Sequence, residues 1–354
     1  MRVAIFSAAL PQPGRKPGGV DIYISRLADR LHGAGHAVRV HSYSPAPEGI
    51  GYDHVRMRPN RFANSALSRM AVTPLLLNRH PFADADVLHL HSDDWFFTRR
   101  DLPTVRTFHG SALYEAMFAA RWRRRLSQAA IVPLELRAAR LADARFGVAP
   151  GAENWLNVDG HLPCGVDGPE RQVAPAEFPV VLFVGTWAGR KRGEFLHRIF
   201  LEEVLPRVPD AQLWMVSDHC VESDGVRWFA TPSDEELAEL YSRAWVLAAP
   251  SLYEGFGVFY LEAMASDTMV VATPNPGSVY VLDQGAAGQL VSDDHFGQGI
   301  IEALSSTEMR ARYISRGRER ANEFSWERVV DAHVRAYELA IARWPAQQRA
   351  SASR

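Results

Sequence analysis

Two glutamates stand on either side of a glycine-rich segment, in a pattern suited to a ligand that carries both hydroxyl and phosphate groups. Glu254 precedes Gly255 and Gly257, and Glu262 follows Val258 by four residues, about 6 Å along a helix. An apolar run comes directly before, so we predict a strand, a loop and a helix that begins at Val258. Glycines let backbone approach a ligand, and helix N-terminal N–H groups suit a phosphate. Because carboxylates accept hydrogen bonds from diols, the pattern predicts a nucleotide-sugar site.

This pair of glutamates around Gly-Phe-Gly resembles the donor-site motif of the retaining glycosyltransferases of family 4. The resemblance implies that Glu254 contacts the hexose hydroxyls, Glu262 the ribose diol, and the backbone near Gly257 the diphosphate. The alternative is that both glutamates only cap the helix. The residues that the resemblance assigns to donor binding in this segment are Glu254, Gly255, Phe256, Gly257, Val258 and Glu262.

A basic loop, Gly185 to Gly193, follows another predicted strand and carries Arg190, Lys191 and Arg192. Three cations could neutralise a diphosphate and stabilise the charge that builds on it as a glycosidic bond breaks. Lys191 occupies the position of the family's diphosphate-binding lysine. Thr186 stands where the family often has an arginine, so the prediction assigns that role to Arg190. The alternative is a solvated loop without a ligand.

Glycines and a histidine at two other strand ends are further candidates. Gly18 and Gly19 lie between the first predicted strand and the first helix, where their amides could meet the donor phosphate or the attacking acceptor hydroxyl. A plain turn would also use glycines. His109, beside Gly110, matches the histidine that family members place next to the donor sugar, where it supports developing positive charge. A purely structural histidine is the alternative.

Less specific signals concern the acceptor and the base of the nucleotide. His91 and Asp94 could line the acceptor pocket or simply bond to backbone. Backbone near Ser217 and Phe229 is expected to recognise the base, and such contacts leave weak sequence signatures. The acceptor itself, whether a small molecule, a glycan or a lipid, is left open.

We predict neither a metal nor another cofactor. Asp84-Ala85-Asp86 has the form of a manganese-binding Asp-x-Asp, but it precedes its strand, where aspartates are usually turn residues. His89 and His91 share one face of a strand, yet no third ligand is near in sequence.

Length and composition favour a soluble globular protein with two domains. The chain has 354 residues, 47% of them hydrophobic and 23% charged, and a formal net charge of −2, which gives no general attraction to nucleic acid. Cys164 and Cys220 lack metal-ligand spacing and suit a reducing compartment. Neither a signal peptide nor a long apolar stretch is evident, so we expect a cytoplasmic protein.

Short apolar strands alternate with helical patterns, which predicts parallel sheets covered on both faces. We predict an acceptor-binding domain over 1–170, a nucleotide-sugar-binding domain over 171–325, and a final helix from Trp326 to about Trp344 before a frayed tail that ends at 354. The resemblance implies the α/β architecture called GT-B. In it, two Rossmann-like, doubly wound domains face an interdomain cleft, and the C-terminal helix crosses back to the first domain. The predicted strands are Val3–Ser7, Ala37–Tyr43, Val87–His91, Thr104–His109, Ala144–Ala149, Val180–Val184, Gln212–Val216, Val226–Phe229, Trp245–Ala249 and Met269–Ala272.

The expected activity is therefore retaining, metal-independent transfer of a sugar from a nucleoside diphosphate sugar to an acceptor hydroxyl. A nucleotide-sugar epimerase of the same architecture and a non-catalytic sugar-nucleotide-binding protein are the alternatives. The run Arg121-Trp122-Arg123-Arg124-Arg125 could bind an anionic membrane or an acidic acceptor, but a solvated helix face is favoured. The donor's base and sugar and the oligomeric state are left undetermined.

Overall fold

A computed structural model describes residues 1–12, 18–58, 72–82, 84–91, 94–99, 101–119, 122–151, 154–168 and 173–352. The chain forms two compact units. The first comprises Met1–Ala116, Leu126–Gly165 and Trp326–Arg354, and the second comprises Met117–Arg125 and Val166–Ser325.

The first unit contains a parallel sheet that, among the described residues, has seven strands in the order β3-β2-β1-β4-β5-β6-β7. Its central strands are buried on both faces, as expected for a sheet covered by helices on both sides. The strands are β1 (Arg2–Phe6), β2 (Ala37–Ser42), β3 (Asp53–Arg56), β4 (Val87–Leu90), β5 (Thr104–Phe108), β6 (Ala144–Gly147) and β7 (Gly160–His161).

The helices along this part of the chain are α1 (Gly19–Gly33), α2 (Thr73–Leu77), α3 (Ala112–Phe118) and α4 (Trp122–Leu141), and the C-terminal helix is α11 (Trp326–Ala352). Helix α11 packs against α1 and against strands β4, β5 and β6. It continues to Ala352, eight residues beyond its predicted end at Trp344. The predicted start of the frayed tail is therefore too early. Alanine, glutamine and arginine in this stretch are good helix formers, which accounts for the longer helix.

The second unit has its own parallel sheet, with six strands in the order β10-β9-β8-β11-β12-β13 among the described residues. Its core includes Val181, Phe183, Leu213, Val271 and Phe296. The strands are β8 (Val180–Val184), β9 (Gln212–Val216), β10 (Val226–Phe229), β11 (Val246–Ala249), β12 (Met269–Ala272) and β13 (Gln289–Leu290), and the helices are α5 (Gly193–Ile199), α6 (Asp234–Arg243), α7 (Val258–Ala265), α8 (Pro276–Val281), α9 (Phe296–Ser305) and α10 (Thr307–Glu323).

Two parallel sheets with alternating helices confirm the predicted α/β class. Strands β8, β9, β10 and β12 have the predicted bounds, and α6 begins after Ser233, whose side chain caps it. Strands β3, β7 and β13 were not predicted. They lie at sheet edges, and their partial exposure gives them no continuous apolar run.

No helix in the described part of the chain is both long enough and apolar enough to cross a membrane.

Candidate functional site

The strand order reverses in the second unit between β8 and β11, which are neighbours in the sheet. The chain leaves β8 toward β9 on one side and leaves β11 toward β12 on the other. Such a reversal opens a crevice at the carboxyl ends of the strands, where ligands bind in open α/β sheets. The basic loop follows β8 and the glutamate loop follows β11, so the fold brings both predicted segments to this crevice.

Glu254 lies between two cations of the basic loop. Its carboxylate pairs with Arg190 through an N···O distance of 2.7 Å and with Lys191 Nζ through 2.8 Å. Glu254 is only 4% exposed. Lys191 Nζ also lies 3.6 Å from the centre of the Phe259 ring, a cation–π contact from the first turn of α7. Three predicted site residues, Glu254, Arg190 and Lys191, therefore form one cluster.

The charges of this cluster shift one another's pKa values. Burial raises the pKa of Glu254, but Lys191 and Arg190 outweigh it and hold that pKa below its usual value. Burial lowers the pKa of Lys191, and Arg190 adds to the effect, while Glu254 opposes it. Two cations in contact with one carboxylate leave an excess of positive charge at the crevice, which suits an anionic ligand.

The third cation of the basic loop has a different role. The guanidinium of Arg192 makes two hydrogen bonds to the Asp293 carboxylate, at 2.6 and 2.5 Å, and donates to the Pro250 carbonyl at 2.6 Å. It thereby ties the basic loop to the end of β11. Thr186, at the position where the family often has arginine, donates to the Ala188 carbonyl at 2.9 Å.

A network that sequence reasoning missed fixes the loop around Glu254. The Gly277 N–H donates to the Glu254 carbonyl at 3.0 Å. A side chain at Gly277 would place Cβ 2.5 Å from the Phe256 carbonyl oxygen, so only glycine fits there. Thr273 and Asn275 both donate to the Ser251 carbonyl, at 2.7 and 3.1 Å. The Asn-Pro-Gly-Ser sequence that starts α8 was the available signal, since it is typical of a helix cap.

Helix α7 begins as predicted at Val258, after Gly257 in the left-handed region with φ of 90°. A Cβ at Gly257 would lie 2.4 Å from the Tyr260 ring, so glycine is required by both conformation and space. On this helix Glu262 accepts a hydrogen bond from the Tyr241 hydroxyl at 3.0 Å. Gly255 is half-buried.

Phe256 has a packing contact. Its side chain is buried and meets the rings of Tyr280 and Phe324 edge to face. Only the backbone of Phe256 can therefore make the predicted contact with the donor.

The backbone predicted to bind the base is partly engaged within the protein. The Ser217 N–H donates to the Phe229 carbonyl at 3.3 Å, and the Trp228 indole N–H donates to the Ser217 carbonyl at 3.0 Å. Ser217 is fully buried, whereas the Trp228 side chain is half-exposed beside it. Base recognition at Ser217 and Phe229 stays a prediction.

In the first unit, His91 and His109 come together at the carboxyl ends of β4 and β5. His91 Nδ1 and His109 Nε2 are 2.9 Å apart. His91 is buried and His109 half-buried. Burial, with the nearby His333 and Arg106, lowers the pKa of His109 to about 3, so the ring is neutral at physiological pH. The structure thus joins a residue predicted to contact the donor with one predicted to contact the acceptor.

Gly18 and Gly19 start α1. The Gly18 N–H donates to the Asp21 carboxylate at 3.3 Å, and no heavy atom of the described residues outside the adjoining backbone lies within 4 Å of a Cβ built on Gly19. Among the described residues, the space beside Gly19 on this side is therefore open.

Asp94, the second predicted acceptor residue, forms a buried ion pair with Arg106. The Arg106 guanidinium also lies over the rings of Trp95 and Phe108, at 5.5 and 4.6 Å from their centres. Burial raises the pKa of Asp94 despite this partner. Both side chains are buried, and an acceptor contact by Asp94 stays a prediction.

Possible metal ligands do not cluster in the described ranges, where no group of three or more histidine, cysteine, aspartate or glutamate side chains could hold an ion. In the Asp-x-Asp sequence, Asp84 has a turn conformation with φ of 62° and Asp86 binds the Arg2 guanidinium at 2.6 Å.

The arginine run lies at the start of α4. Trp122 is 67% exposed, with the Arg123 guanidinium 5.5 Å from the centre of its ring. Arg121 lies outside the described residues. The exposed positions agree with the favoured interpretation of a solvated face.

Comparison with known proteins matches both halves of the chain. The family described as "Glycosyltransferase Family 4" matches residues 17–163, and the family described as "Glycosyl transferases group 1" matches residues 178–306. A phosphatidyl-myo-inositol mannosyltransferase from Mycolicibacterium smegmatis is 28% identical over 360 residues, which cover 91% of this chain and 90% of that protein.

Solved structures show the same fold. A sucrose-phosphate synthase from Thermosynechococcus elongatus superimposes with a TM-score of 0.78 at 20% identity, covering 96% of this chain and 99% of that chain. HepE from Anabaena, solved with UDP-glucose, superimposes with a TM-score of 0.70 at 14% identity and the same coverage.

Proposed function

Because the chain belongs to the family-4 glycosyltransferases of the GT-B fold, we propose that this glycosyltransferase uses a nucleoside diphosphate sugar, retains the anomeric configuration and needs no metal. The observation that carries the proposal is the cluster of Glu254, Arg190 and Lys191 at the strand-order reversal. A diphosphate could bind the two cations while the carboxylate accepts hydrogen bonds from the sugar. The N-terminus of α7 adds N–H donors and a positive dipole end.

In the proposed reaction, the bond between the anomeric carbon and the diphosphate oxygen breaks with its electron pair going to the phosphate. The acceptor oxygen forms the new bond on the same face of the sugar, and its proton passes to the departing phosphate. Lys191 and Arg190 stabilise the negative charge that develops there, a contribution commonly worth several kcal/mol. Neutral His109 contacts the sugar without adding a positive charge that would oppose the charge developing on the ring.

A mannosyl donor and an inositol-bearing lipid acceptor are the first pair to test. Phosphatidyl-myo-inositol mannosyltransferases are 26–28% identical to this chain. A D-inositol 3-phosphate glycosyltransferase from Corynebacterium jeikeium is 26% identical over 96% of this chain. The names of these relatives make inositol 3-phosphate and phosphatidylinositol the two acceptors to compare.

The test combines a donor panel with product analysis. Purified protein is incubated with GDP-, UDP-, ADP- and TDP-sugars, with and without acceptor and with EDTA. We expect acceptor-dependent transfer that persists in EDTA and a product with the donor's anomeric configuration by NMR. Conversion of the donor without acceptor would instead indicate an epimerase, and donor binding without turnover across the acceptor panel would indicate a non-catalytic binding protein.

A further inference from the structure

We propose that His91 is a positioning residue for the transfer reaction, which holds His109 in one orientation and one tautomer. The inference rests on the proposed function, because it assigns His91 a role through the histidine predicted to contact the donor sugar. It replaces the predicted acceptor contact of His91 with a contact to His109.

The hydrogen bond between the two rings is directional. His91 Nδ1 lies 2.9 Å from His109 Nε2. When both rings are neutral, one of these two nitrogens carries the shared hydrogen and the other accepts it. Burial, with its histidine neighbours, lowers the pKa of His91, which keeps this ring neutral as well.

The second ring nitrogen of His91 decides which atom donates. His91 Nε2 is fully buried and has no hydrogen-bond partner among the described residues. A buried N–H without an acceptor is rarer in proteins than a buried acceptor without a donor. The hydrogen therefore belongs on His91 Nδ1, and His109 Nε2 accepts it.

That choice fixes the tautomer of His109. A neutral imidazole that accepts at Nε2 carries its own hydrogen on Nδ1. No residue in the described part of the chain accepts a hydrogen bond from His109 Nδ1, and the ring is half-buried. His109 thus presents an N–H that can donate to a hydroxyl oxygen of the sugar.

Packing prevents His91 from turning away. Its ring lies 3.9 Å from that of His89, centre to centre, and Tyr23 meets the His109 ring edge-on at 5.3 Å. Tyr23 is itself fixed by a 2.9 Å hydrogen bond between its hydroxyl and His333 Nε2. The Nδ1 of His333 donates to the Val329 carbonyl at 2.7 Å. The rings of His89 and Tyr23 therefore pack against the hydrogen-bonded pair.

The test compares His91→Phe with His91→Asn. Phenylalanine keeps a ring of similar size without the donor, whereas the amide nitrogen of asparagine can replace Nδ1. We expect His91→Phe to lower kcat about 10- to 100-fold, the range for a small misplacement of a reacting group. KM for the donor should change much less, and His91→Asn should restore most of kcat.

The chain offers a matched control. His41 Nδ1 and His80 Nε2 form a second histidine pair at 2.8 Å in the same unit. His80→Phe removes that hydrogen bond and should leave kcat and KM unchanged. If His91→Phe and His80→Phe have equal effects on kcat, or if His91→Asn is no better than His91→Phe, the positioning role is refuted.

A spectroscopic readout separates this inference from the proposed function. In protein with 15N-labelled histidine, we expect His109 to carry hydrogen on Nδ1 in the wild type and to lose that preference in His91→Phe. Hydrogen on Nε2 of His109 in the wild type would overturn the inference even if transfer is observed. Absence of transfer with every donor would reject the proposed function, while the tautomer measurement would still decide the hydrogen-bond direction.

Discussion

Replacing Glu254 by glutamine should have opposite effects on two steps of catalysis. Glu254→Gln removes the anion that contacts Arg190 and Lys191 but keeps the size of the side chain. Turnover should fall, because the sugar loses a charged hydrogen-bond acceptor. Affinity for the free nucleoside diphosphate should rise, because the cations no longer have to exchange a carboxylate for the phosphates.

The magnitudes follow from the contacts. A hydrogen bond to a charged group is worth about 1.5–3 kcal/mol, and Glu254 makes two such contacts. Glutamine retains one neutral interaction of up to about 1.5 kcal/mol, against about 3 kcal/mol for two charged contacts at the lower end of the range. The cations should therefore bind a diphosphate more tightly by about 1.5 kcal/mol, or roughly tenfold. Loss of a charged contact in the transition state should reduce kcat by about 100-fold or more. Lys191→Ala removes a cation and should weaken diphosphate binding by about 10- to 100-fold.

Isothermal titration calorimetry with the nucleoside diphosphate of the active donor measures the affinities, and the transfer assay measures kcat. Arg198 and Glu202 form an exposed ion pair on the neighbouring helix, so Arg198→Ala and Glu202→Gln are matched controls that change the same charges. Both should behave like the wild type. Thermal unfolding establishes that each variant is folded before its binding is compared.

The reasoning is refuted if Glu254→Gln weakens diphosphate binding as much as Lys191→Ala does. That outcome would mean that the carboxylate organises the phosphate site instead of competing for its cations. An unchanged kcat in Glu254→Gln would refute the sugar contact itself.

Two further predictions concern pH and backbone access. Burial raises the pKa of Glu135 from 4.5 to about 7. Between these two pH values the folded state holds a proton that the unfolded state has lost. The stability of the folded state therefore falls as pH rises through this range. Glu135→Gln should remove on the order of 3 kcal/mol of this pH dependence, measured by urea unfolding at pH 5 and 7.5; equal slopes in both proteins would contradict it. Gly19→Ala should keep the wild-type Tm, since no heavy atom of the described residues outside the adjoining backbone lies within 4 Å of the added Cβ. The same variant should raise KM for the donor or the acceptor. Gly277→Ala should lower Tm because its Cβ would meet the Phe256 carbonyl. If Gly19→Ala had the lower Tm of the two variants, neither glycine would act as described.

Local patterns predicted the central strands and the start of α7 because these features depend on residues close in sequence. Strand β8 is a continuous apolar run, and the Ser233 capping box specifies the beginning of α6. Lys191 and Glu254 were recognisable by resemblance, while their direct contact depends on β8 and β11 being neighbours in the sheet.

Contacts between distant segments could not be predicted in this way. Arg192 and Asp293 are 101 positions apart, and no pattern around either residue indicates that they pair. His91 and His109 directly follow the neighbouring strands β4 and β5, so their pairing depends on the order and register of these strands. Tyr241 is the aromatic residue of the amphipathic helix α6, and only the packing of α6 against α7 brings its hydroxyl to Glu262.

The arrangement around Glu254 also explains why a buried carboxylate is useful at a phosphate site. Without an anion, two adjacent cations would repel each other and lose hydration, and burial already lowers the pKa of Lys191. Glu254 opposes this lowering and holds Lys191 and Arg190 at the crevice before any ligand arrives. A diphosphate that binds there takes the place of the carboxylate at the two cations. The same carboxylate then becomes an acceptor for sugar hydroxyls once the phosphates take over the cations. Binding of the diphosphate and recognition of the sugar are thereby coupled through one side chain, which is why a single substitution at Glu254 should separate affinity from turnover.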